Sequence, residues 1–422
     1  MRDLFKSSSI ISISVFIAGF ISYCFQLILS KLITANDYGS YNVLMSFSGL
    51  IGIPITILSI SILKQYSIYK EQNSIIQIHK LFNITIKLSI YIAVSIFIFF
   101  IIFIDFFINF LKISNNSTYY NFIVMHIVGI FFPFLSFFLQ GMRDYFYFSI
   151  MNVLNSIVRL IIPLCLMLFV VLDLNNIILS STIASIISTI VLIYFIKKKY
   201  DLSIFAKNFK LSLSEIRESY SQLSIKSYAR SMLVIISFSL IIQIDILIVN
   251  YFFDSEISGN YALASVISKI IFFISSGINT LILNEASGKN YFKIKTKSYL
   301  YFSLIFTIFF SILFCLGSYF LGPFLIEFIY GEKFFLARDI IKFLPIAFVP
   351  YALIQCYEYY LLSQDKVIFS VLFIFLFPFL IYFLNLFVND IWNIILILGI
   401  FGFSYLILGI FVSMISDNLL RK

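Results

Sequence analysis

Residues 367–388 read VIFSVLFIFLFPFLIYFLNLFV and contain no charged side chain. A helix of about 20 apolar residues crosses the roughly 30 Å hydrocarbon core of a bilayer. The following segment, 391–415, is also free of charge, and a short polar turn separates the two. This stretch therefore predicts two consecutive transmembrane helices.

The same criterion, applied outward along the 422 residues, identifies twelve apolar segments. They are 8–30, 40–62, 81–104, 119–141, 148–171, 176–196, 226–250, 260–284, 298–321, 341–362, 367–388 and 391–415. Only 12% of the residues are charged, and mean hydropathy is +1.04. This composition excludes a soluble enzyme, a disordered chain and a disulfide-built secreted domain. We expect an all-α polytopic membrane protein with twelve transmembrane helices.

The basic residues indicate how the spans are oriented. Twenty of the 29 Lys and Arg residues fall in loops on one side of the predicted membrane, and five fall on the other. Because cytoplasmic loops carry the excess of Lys and Arg, both termini are predicted to be cytoplasmic. Most of the basic residues behind the net charge of +9 lie in these short loops, so we expect membrane lipids and no nucleic acid as partners.

The chain contains a weak internal repeat. Similar strings surround Gly39 and Gly259, which lie 220 residues apart, as do Tyr41 and Tyr261. Further residues recur at a separation of 221, namely Asp144/Asp365, Phe148/Phe369 and Ser149/Ser370. Both patches occupy equivalent loops, which favours two parallel six-helix repeats.

The repeat predicts two pseudo-symmetric lobes around a central cavity. The N-terminal lobe would comprise residues 1–196 and the C-terminal lobe residues 226–422, with a cytoplasmic linker at 197–225. Lobes of this kind give alternating access to the two sides of a membrane. This architecture indicates a transporter.

Two stretches resemble a known family. They are SKLITANDYGSYNVLMSF at residues 30–47 and QIDILIVNYFFDSEISGNYALA at residues 243–264. Both are similar to segments of Wzx-type O-antigen and polysaccharide flippases, which belong to the multidrug/oligosaccharidyl-lipid/polysaccharide exporter superfamily. The resemblance implies a flippase in the bacterial inner membrane. Its substrate would be an undecaprenyl-pyrophosphate-linked oligosaccharide, moved from the cytoplasmic to the outer leaflet for O-antigen or capsule export. A polysaccharide polymerase and a chain-length regulator are the implied protein partners.

Charged residues within spans are candidates for function because an ionised group in hydrocarbon costs several kcal/mol. Arg159 lies near the middle of its span, roughly 16 Å deep at 1.5 Å per residue. The other embedded cations are Lys87, Arg230 and Lys269. We predict that these four bind substrate, because Arg and Lys suit a pyrophosphate.

Two carboxylates, Asp245 and Glu358, are also embedded. They are predicted either to couple transport to an ion or to form structural ion pairs, Asp245 with Lys269 and Glu358 with Arg230. Pro133 and Pro350 occupy equivalent spans of the two repeats and are predicted hinges or static kinks, because proline removes a helical hydrogen bond.

Two other functions remain open. A cation-coupled multidrug exporter of the same superfamily would depend on the acidic residues. A membrane-embedded glycan polymerase or modifying enzyme would need an outer acid–base pair, with Asp105 and Glu327 as the available residues. No Walker A motif and no metal-ligand spacing is present, so we expect no enzyme activity, no metal and no cofactor. One chain suffices for the cavity, and a monomer is expected.

Overall fold

The computed structural model describes residues 2–113, 115–171, 173–200, 225–273, 275, 293–363 and 366–419. Within these ranges the chain consists of α-helices joined by short turns and a 3-10 helix at Gly331–Phe334, with no strand. It is an all-α polytopic membrane protein, as its apolar segments predict.

The first half of the chain contains eight helices in its described residues. They are α1 (Arg2–Leu32), α2 (Ala35–Glu71), α3 (Ile75–Ile102), α4 (Ile104–Leu111), α5 (Asn116–Gly129), α6 (Phe131–Gly141), α7 (Tyr145–Met167) and α8 (Leu174–Tyr200). The second half contains seven more. They are α9 (Ile225–Phe252), α10 (Ser255–Ser268), α11 (Lys293–Phe320), α12 (Gly322–Tyr330), α13 (Phe335–Ser363), α14 (Ile368–Phe387) and α15 (Ile391–Leu419).

Eleven helical stretches among the described residues are long and apolar enough to cross a membrane. They correspond to eleven of the twelve predicted spans. The remaining one, 260–284, begins in α10 and continues into residues outside the described ranges. Several predicted spans were shorter than the helices that contain them. For example, α2 runs for 37 residues, and the tenth predicted span forms only part of the apolar stretch Gly322–Leu361.

The two halves repeat the same order of helices. In the first half, the first helix ends at Leu32 and the second begins at Ala35. In the second half, the first helix ends at Phe252 and the second begins at Ser255. In each half a 28-residue helix then precedes a short one, which has eight residues in α4 and nine in α12. This correspondence agrees with the repeat expected from the sequence.

Contacts divide the chain into two compact units. The first comprises Met1–Leu44 and Ile51–Ser224, and the second comprises Met45–Leu50 and Ile225–Lys422. The lobe limits at 196 and 226 stay predictions, and most of the predicted linker lies outside the described residues.

An aromatic core packs the helices of the first unit. The Tyr66 ring meets the Phe138 ring edge-on at 5.0 Å, and Phe82 contacts Phe138 at 5.1 Å. Gly141 allows α6 to approach α2 closely, because a Cβ atom there would lie 2.6 Å from the Tyr66 Cβ atom. The Tyr66 hydroxyl also reaches Thr85 of α3 at 3.1 Å. Polar and apolar contacts thus join three helices at one point.

Charged groups join the helix ends on the predicted cytoplasmic side of the first unit. Arg143, whose φ of 58° is left-handed, forms an ion pair with Glu71. Asp144 accepts hydrogen bonds from Lys199 and from the Tyr200 hydroxyl, the latter at 2.7 Å. These contacts connect the start of α7 to the ends of α2 and α8.

The two predicted hinge prolines differ in their surroundings. Pro133 follows a break between α5 and α6 at Ile130, as expected where a proline removes a backbone hydrogen bond. Pro350 lies buried inside the continuous helix α13 and packs close to Gly402 of α15. A hinge function for either residue stays a prediction.

Close packing in the second unit makes Gly409 a sensitive position. A Cβ atom at Gly409 would overlap the ring of the buried Phe369, whose carbonyl accepts a hydrogen bond from the Tyr405 hydroxyl at 2.8 Å. We expect Gly409→Ala to destabilise the protein by about 1–3 kcal/mol, the usual cost of overpacking. The thermal unfolding temperature of purified protein measures this effect.

Gly317→Ala is the matched control, because no atom lies within 4 Å of a Cβ at Gly317. Alanine favours a helix over glycine, so this variant should unfold at the wild-type temperature or slightly above it. Equal destabilisation by both variants would contradict the packing argument.

Candidate functional site

Five of the six charged residues predicted within spans have described side chains. Lys87 and Arg159 belong to the first unit, and Asp245, Lys269 and Glu358 belong to the second. Arg230 lies on α9, but its side chain is outside the described set, so its predicted pairing with Glu358 stays a prediction.

Arg159 projects from the middle of α7 on the side opposite the apolar surface of that helix. Ile157 and Ile161 are exposed large hydrophobics, and they lie on one face with others along the helix. A residue two positions away is about 200° around the helix axis, so Arg159 occupies the opposite face. Asn152 and Asn155, seven and four positions earlier, share that face. The helix is therefore amphipathic, with a polar stripe that includes its one cation.

The Arg159 side chain is exposed, and Asn152 and Asn155 are half-buried. Among the described residues, no carboxylate lies within ion-pair distance of Arg159. Its neighbour is the Tyr41 hydroxyl, which interacts electrostatically with the Arg159 guanidinium. The same hydroxyl forms a hydrogen bond with the Ser181 side chain. Tyr41 itself is buried. The guanidinium thus keeps its donors available to a ligand.

Lys87 lies elsewhere in the first unit. It is buried in α3, with 9% of its surface exposed. Its surroundings therefore differ from those of Arg159, and its predicted contact with substrate stays a prediction.

The second unit contains a buried ionic cluster centred on Asp245 of α9. Asp245 is 1% exposed, and its Oδ1 atom accepts a hydrogen bond from the Lys269 ammonium at 2.8 Å. Its Oδ2 atom accepts from the Ser265 hydroxyl at 2.6 Å and from the Tyr261 hydroxyl at 3.3 Å. The ion pair anticipated from the sequence is thus present, and two hydroxyl groups complete it.

Lys269 occupies a break in its helix. It caps the C-terminus of α10, and its backbone N–H donates to the Ser265 carbonyl at 2.9 Å. The Lys269 Nζ atom also lies 5.8 Å from the centre of the Phe348 ring. An anion would have to compete with Asp245 for this ammonium. The predicted substrate contact of Lys269 and the predicted coupling role of Asp245 remain untested.

A small cavity adjoins Asp245 inside the second unit. Its lining comes from α9, α13, α14 and α15, and it is apolar apart from Asp245 and Tyr351. The Tyr351 hydroxyl donates to the Leu398 carbonyl at 2.8 Å. The carboxylate is therefore next to unfilled space but remains fully hydrogen-bonded.

Glu358 has a different environment. It is buried in α13, and its carboxyl group accepts one hydrogen bond, from the Ser370 hydroxyl at 3.1 Å. The Ser370 carbonyl accepts in turn from Ser237 of α9 at 3.3 Å. No described cation lies within ion-pair distance of Glu358.

Sequence reasoning identified the charged members of these sites but missed the hydroxyl groups around them. Tyr261 was noted only as a member of the internal repeat, but it is fully buried and donates a hydrogen bond to Asp245. Tyr261 and Ser265 are four positions apart, so they lie on one face of α10. That spacing, together with an embedded carboxylate on the preceding helix, was the available signal. For the enzyme alternative, Glu327 forms an ion pair with Arg338 at 3.1 Å.

Several solved transporter structures share this fold. An inward-facing multidrug resistance MATE transporter of the MOP superfamily has a TM-score of 0.77 at 12% identity, with 95% of each chain covered. The lipid II flippase MurJ, in an inward closed conformation, has a TM-score of 0.70 at 15% identity, covering 97% of this chain and 89% of that one. A MOP superfamily transporter from Pyrococcus furiosus, described as having a binding pocket of reversed polarity, has a TM-score of 0.60 at 13% identity, covering 99% and 96%.

No protein-family model and no curated protein sequence matches the chain. The structural similarities nevertheless show that the chain has the fold of MOP superfamily transporters. This class of multi-pass membrane proteins includes MATE exporters and a lipid II flippase.

The Asp245 cluster predicts a specific pattern of stability. Lys269→Met leaves a buried carboxylate without its counter-charge, which typically costs about 3–5 kcal/mol. The double variant Asp245→Asn/Lys269→Met removes both charges and should recover most of that loss. Thermal unfolding of the purified single and double variants provides the comparison. Additive losses in the double variant would show that the pair does not stabilise the second unit as an ion pair.

Proposed function

We propose that this protein is a flippase that moves an undecaprenyl-pyrophosphate-linked oligosaccharide from the cytoplasmic to the outer leaflet of a bacterial inner membrane. The glycan would be a repeat unit for O-antigen or capsule export. Flipping makes and breaks no covalent bond, so the mechanism consists of substrate binding on one side of the membrane and release on the other.

The observation that carries this proposal is the exposed Arg159 in the middle of α7. A cation facing hydrocarbon at this depth would be strongly unfavourable, and the lipid-type surface of the helix lies on the other side. The polar stripe is therefore best explained as part of a water-accessible substrate path. A guanidinium offers paired N–H donors that match phosphate oxygens.

The balance of available charge supports an anionic substrate. Of the two carboxyl groups that the sequence places within the predicted spans, Asp245 is paired with Lys269, and Glu358 is buried and accepts a hydrogen bond from Ser370. Arg159 keeps its positive charge exposed. A path for cationic drugs would present exposed carboxylates instead.

Alternating access is the transport mechanism that we propose. Solved MOP superfamily transporters of this fold have been captured in inward-facing and outward-facing conformations. In such a cycle, Arg159 would hold the pyrophosphate while the sugars occupy water and the prenyl chain stays in lipid. The assignment to O-antigen or capsule rests on the two stretches that resemble Wzx-type flippases.

The second candidate function is a cation-coupled multidrug exporter. The observation in its favour is Glu358, a buried carboxyl group with no described cation partner, which is suited to binding and releasing a proton. MATE exporters of this fold are among the similar structures. In an exporter, Glu358 would be essential and Arg159 dispensable.

Arg159 variants test the flippase proposal in a strain deleted for the gene. Outer-leaflet labelling of lipid-linked glycan should be lost in the deletion strain and restored by the wild-type gene. We expect Arg159→Ala to reduce labelling at least about tenfold, the effect of losing about 1.4 kcal/mol of binding in the path. Arg159→Lys should retain part of the activity because it keeps the charge.

Lys198→Ala is the matched control, since Lys198 is an exposed cation at the end of α8 rather than in mid-span. It should restore labelling fully at equal protein levels. Normal labelling by Arg159→Ala together with loss of drug efflux by Glu358→Gln would instead support the exporter.

A further inference from the structure

We propose that Asp245, Ser265 and Tyr261 form a monovalent-cation site in the second unit and that the ammonium of Lys269 permanently occupies it. The lysine would thus act as a tethered counter-ion. The proposal concerns ion binding by purified protein, so it can fail or succeed independently of the flippase function.

Three polar side chains converge on one carboxylate. Three donors from α10 and its C-terminus reach Asp245, which lies on the neighbouring helix α9, at 2.6, 2.8 and 3.3 Å. Asp245 and Tyr261 are almost completely buried, and Lys269 is 9% exposed. A buried carboxylate requires a compensating positive charge, and the chain supplies its own.

Lys269 lies at the C-terminus of α10. Carbonyl groups in the last turn of a helix carry partial negative charge and favour a cation nearby. The chain leaves α10 at Lys269, and the following backbone resumes hydrogen bonding with Phe272 N–H donating to the Lys269 carbonyl at 3.0 Å. The end of α10 thus lies within the length of one lysine side chain of Asp245.

The groups around the ammonium could bind a cation in its absence. Shortening Lys269 to alanine leaves a carboxylate and two hydroxyl oxygens, and hydroxyl groups can rotate to accept as well as donate. Oxygen atoms of this kind are ligands for hard cations such as sodium. In the wild-type protein the lysine fills this space, and its charge repels a second cation.

One functional consequence follows. The charge of Asp245 is compensated without any ion from solution, so this site takes no free sodium through the transport cycle. A sodium gradient would then not drive transport through binding at Asp245, although the carboxylate lies beside a cavity.

The experiment compares thermal unfolding of purified full-length variants in NaCl and in choline chloride at equal ionic strength. Lys269→Ala opens the site and should unfold at a temperature about 2 °C or more higher in NaCl than in choline chloride. Lys269→Met removes the charge but keeps the volume filled, so it should show no such difference. Wild type and Asp245→Asn/Lys269→Ala should show none either.

Two results would overturn the proposal. One is an equal unfolding temperature of Lys269→Ala in both salts. The other is a sodium-specific shift in the wild type that Asp245→Asn abolishes, which would mean that free sodium binds beside the lysine. Should Lys269→Ala be recoverable only in NaCl, that dependence is itself the expected result. If the Lys269→Ala protein cannot be purified in either salt while Lys269→Met can, that result would contradict the proposal.

Discussion

An ionised side chain inside a membrane is tolerated only where it meets an opposite charge or water. The two units of this protein satisfy that constraint in different ways. In the second unit, Asp245 and Lys269 bind each other in a buried site that two hydroxyl groups complete. In the first unit, Arg159 is exposed on the polar side of α7, away from the apolar surface of that helix. The difference separates a charge that stabilises the fold from one that is available for function.

Equivalent tyrosines of the internal repeat have different partners in the two units. Tyr41 and Tyr261 lie 220 residues apart, and both are buried. Beside Tyr41 the preceding helix provides Phe25, and the centres of the two rings are 6.3 Å apart. Beside Tyr261 the corresponding helix provides Asp245, which accepts the tyrosine hydrogen bond. An aromatic contact in one unit thus corresponds to a polar one in the other, and the Tyr41 hydroxyl is left to Ser181 and Arg159.

Much of the fold could be predicted from the sequence because a bilayer imposes a simple rule on composition and length. Segments such as 367–388 have no other stable environment, and the structure places α14 there. Hydropathy alone did not divide the segment that contains α5 and α6, but Pro133 indicated a kink there because proline removes a helical hydrogen bond. The length of α2 was also missed, since its polar C-terminal turns extend beyond the apolar segment.

The candidate sites were predictable to a lesser degree. Charge within a span identified Arg159, Asp245 and Lys269, and antiparallel neighbours made an Asp245–Lys269 pair foreseeable. Whether a charged side chain is paired or exposed depends on tertiary packing, which one sequence does not specify. The uncharged groups Ser265, Tyr261 and Ser370 complete the sites but do not stand out among the many Ser and Tyr residues of this chain.

The central claim is that the side of α7 bearing Arg159 faces water. Cysteine accessibility tests it most directly, with the four native cysteines replaced and single cysteines placed at positions 159, 157 and 161. A hydrophilic maleimide applied to membranes should label position 159 and leave 157 and 161 unmodified, because the latter two lie on the apolar face. Labelling at 157 and 161 with protection at 159 would contradict the account and reverse the assignment of the helix faces.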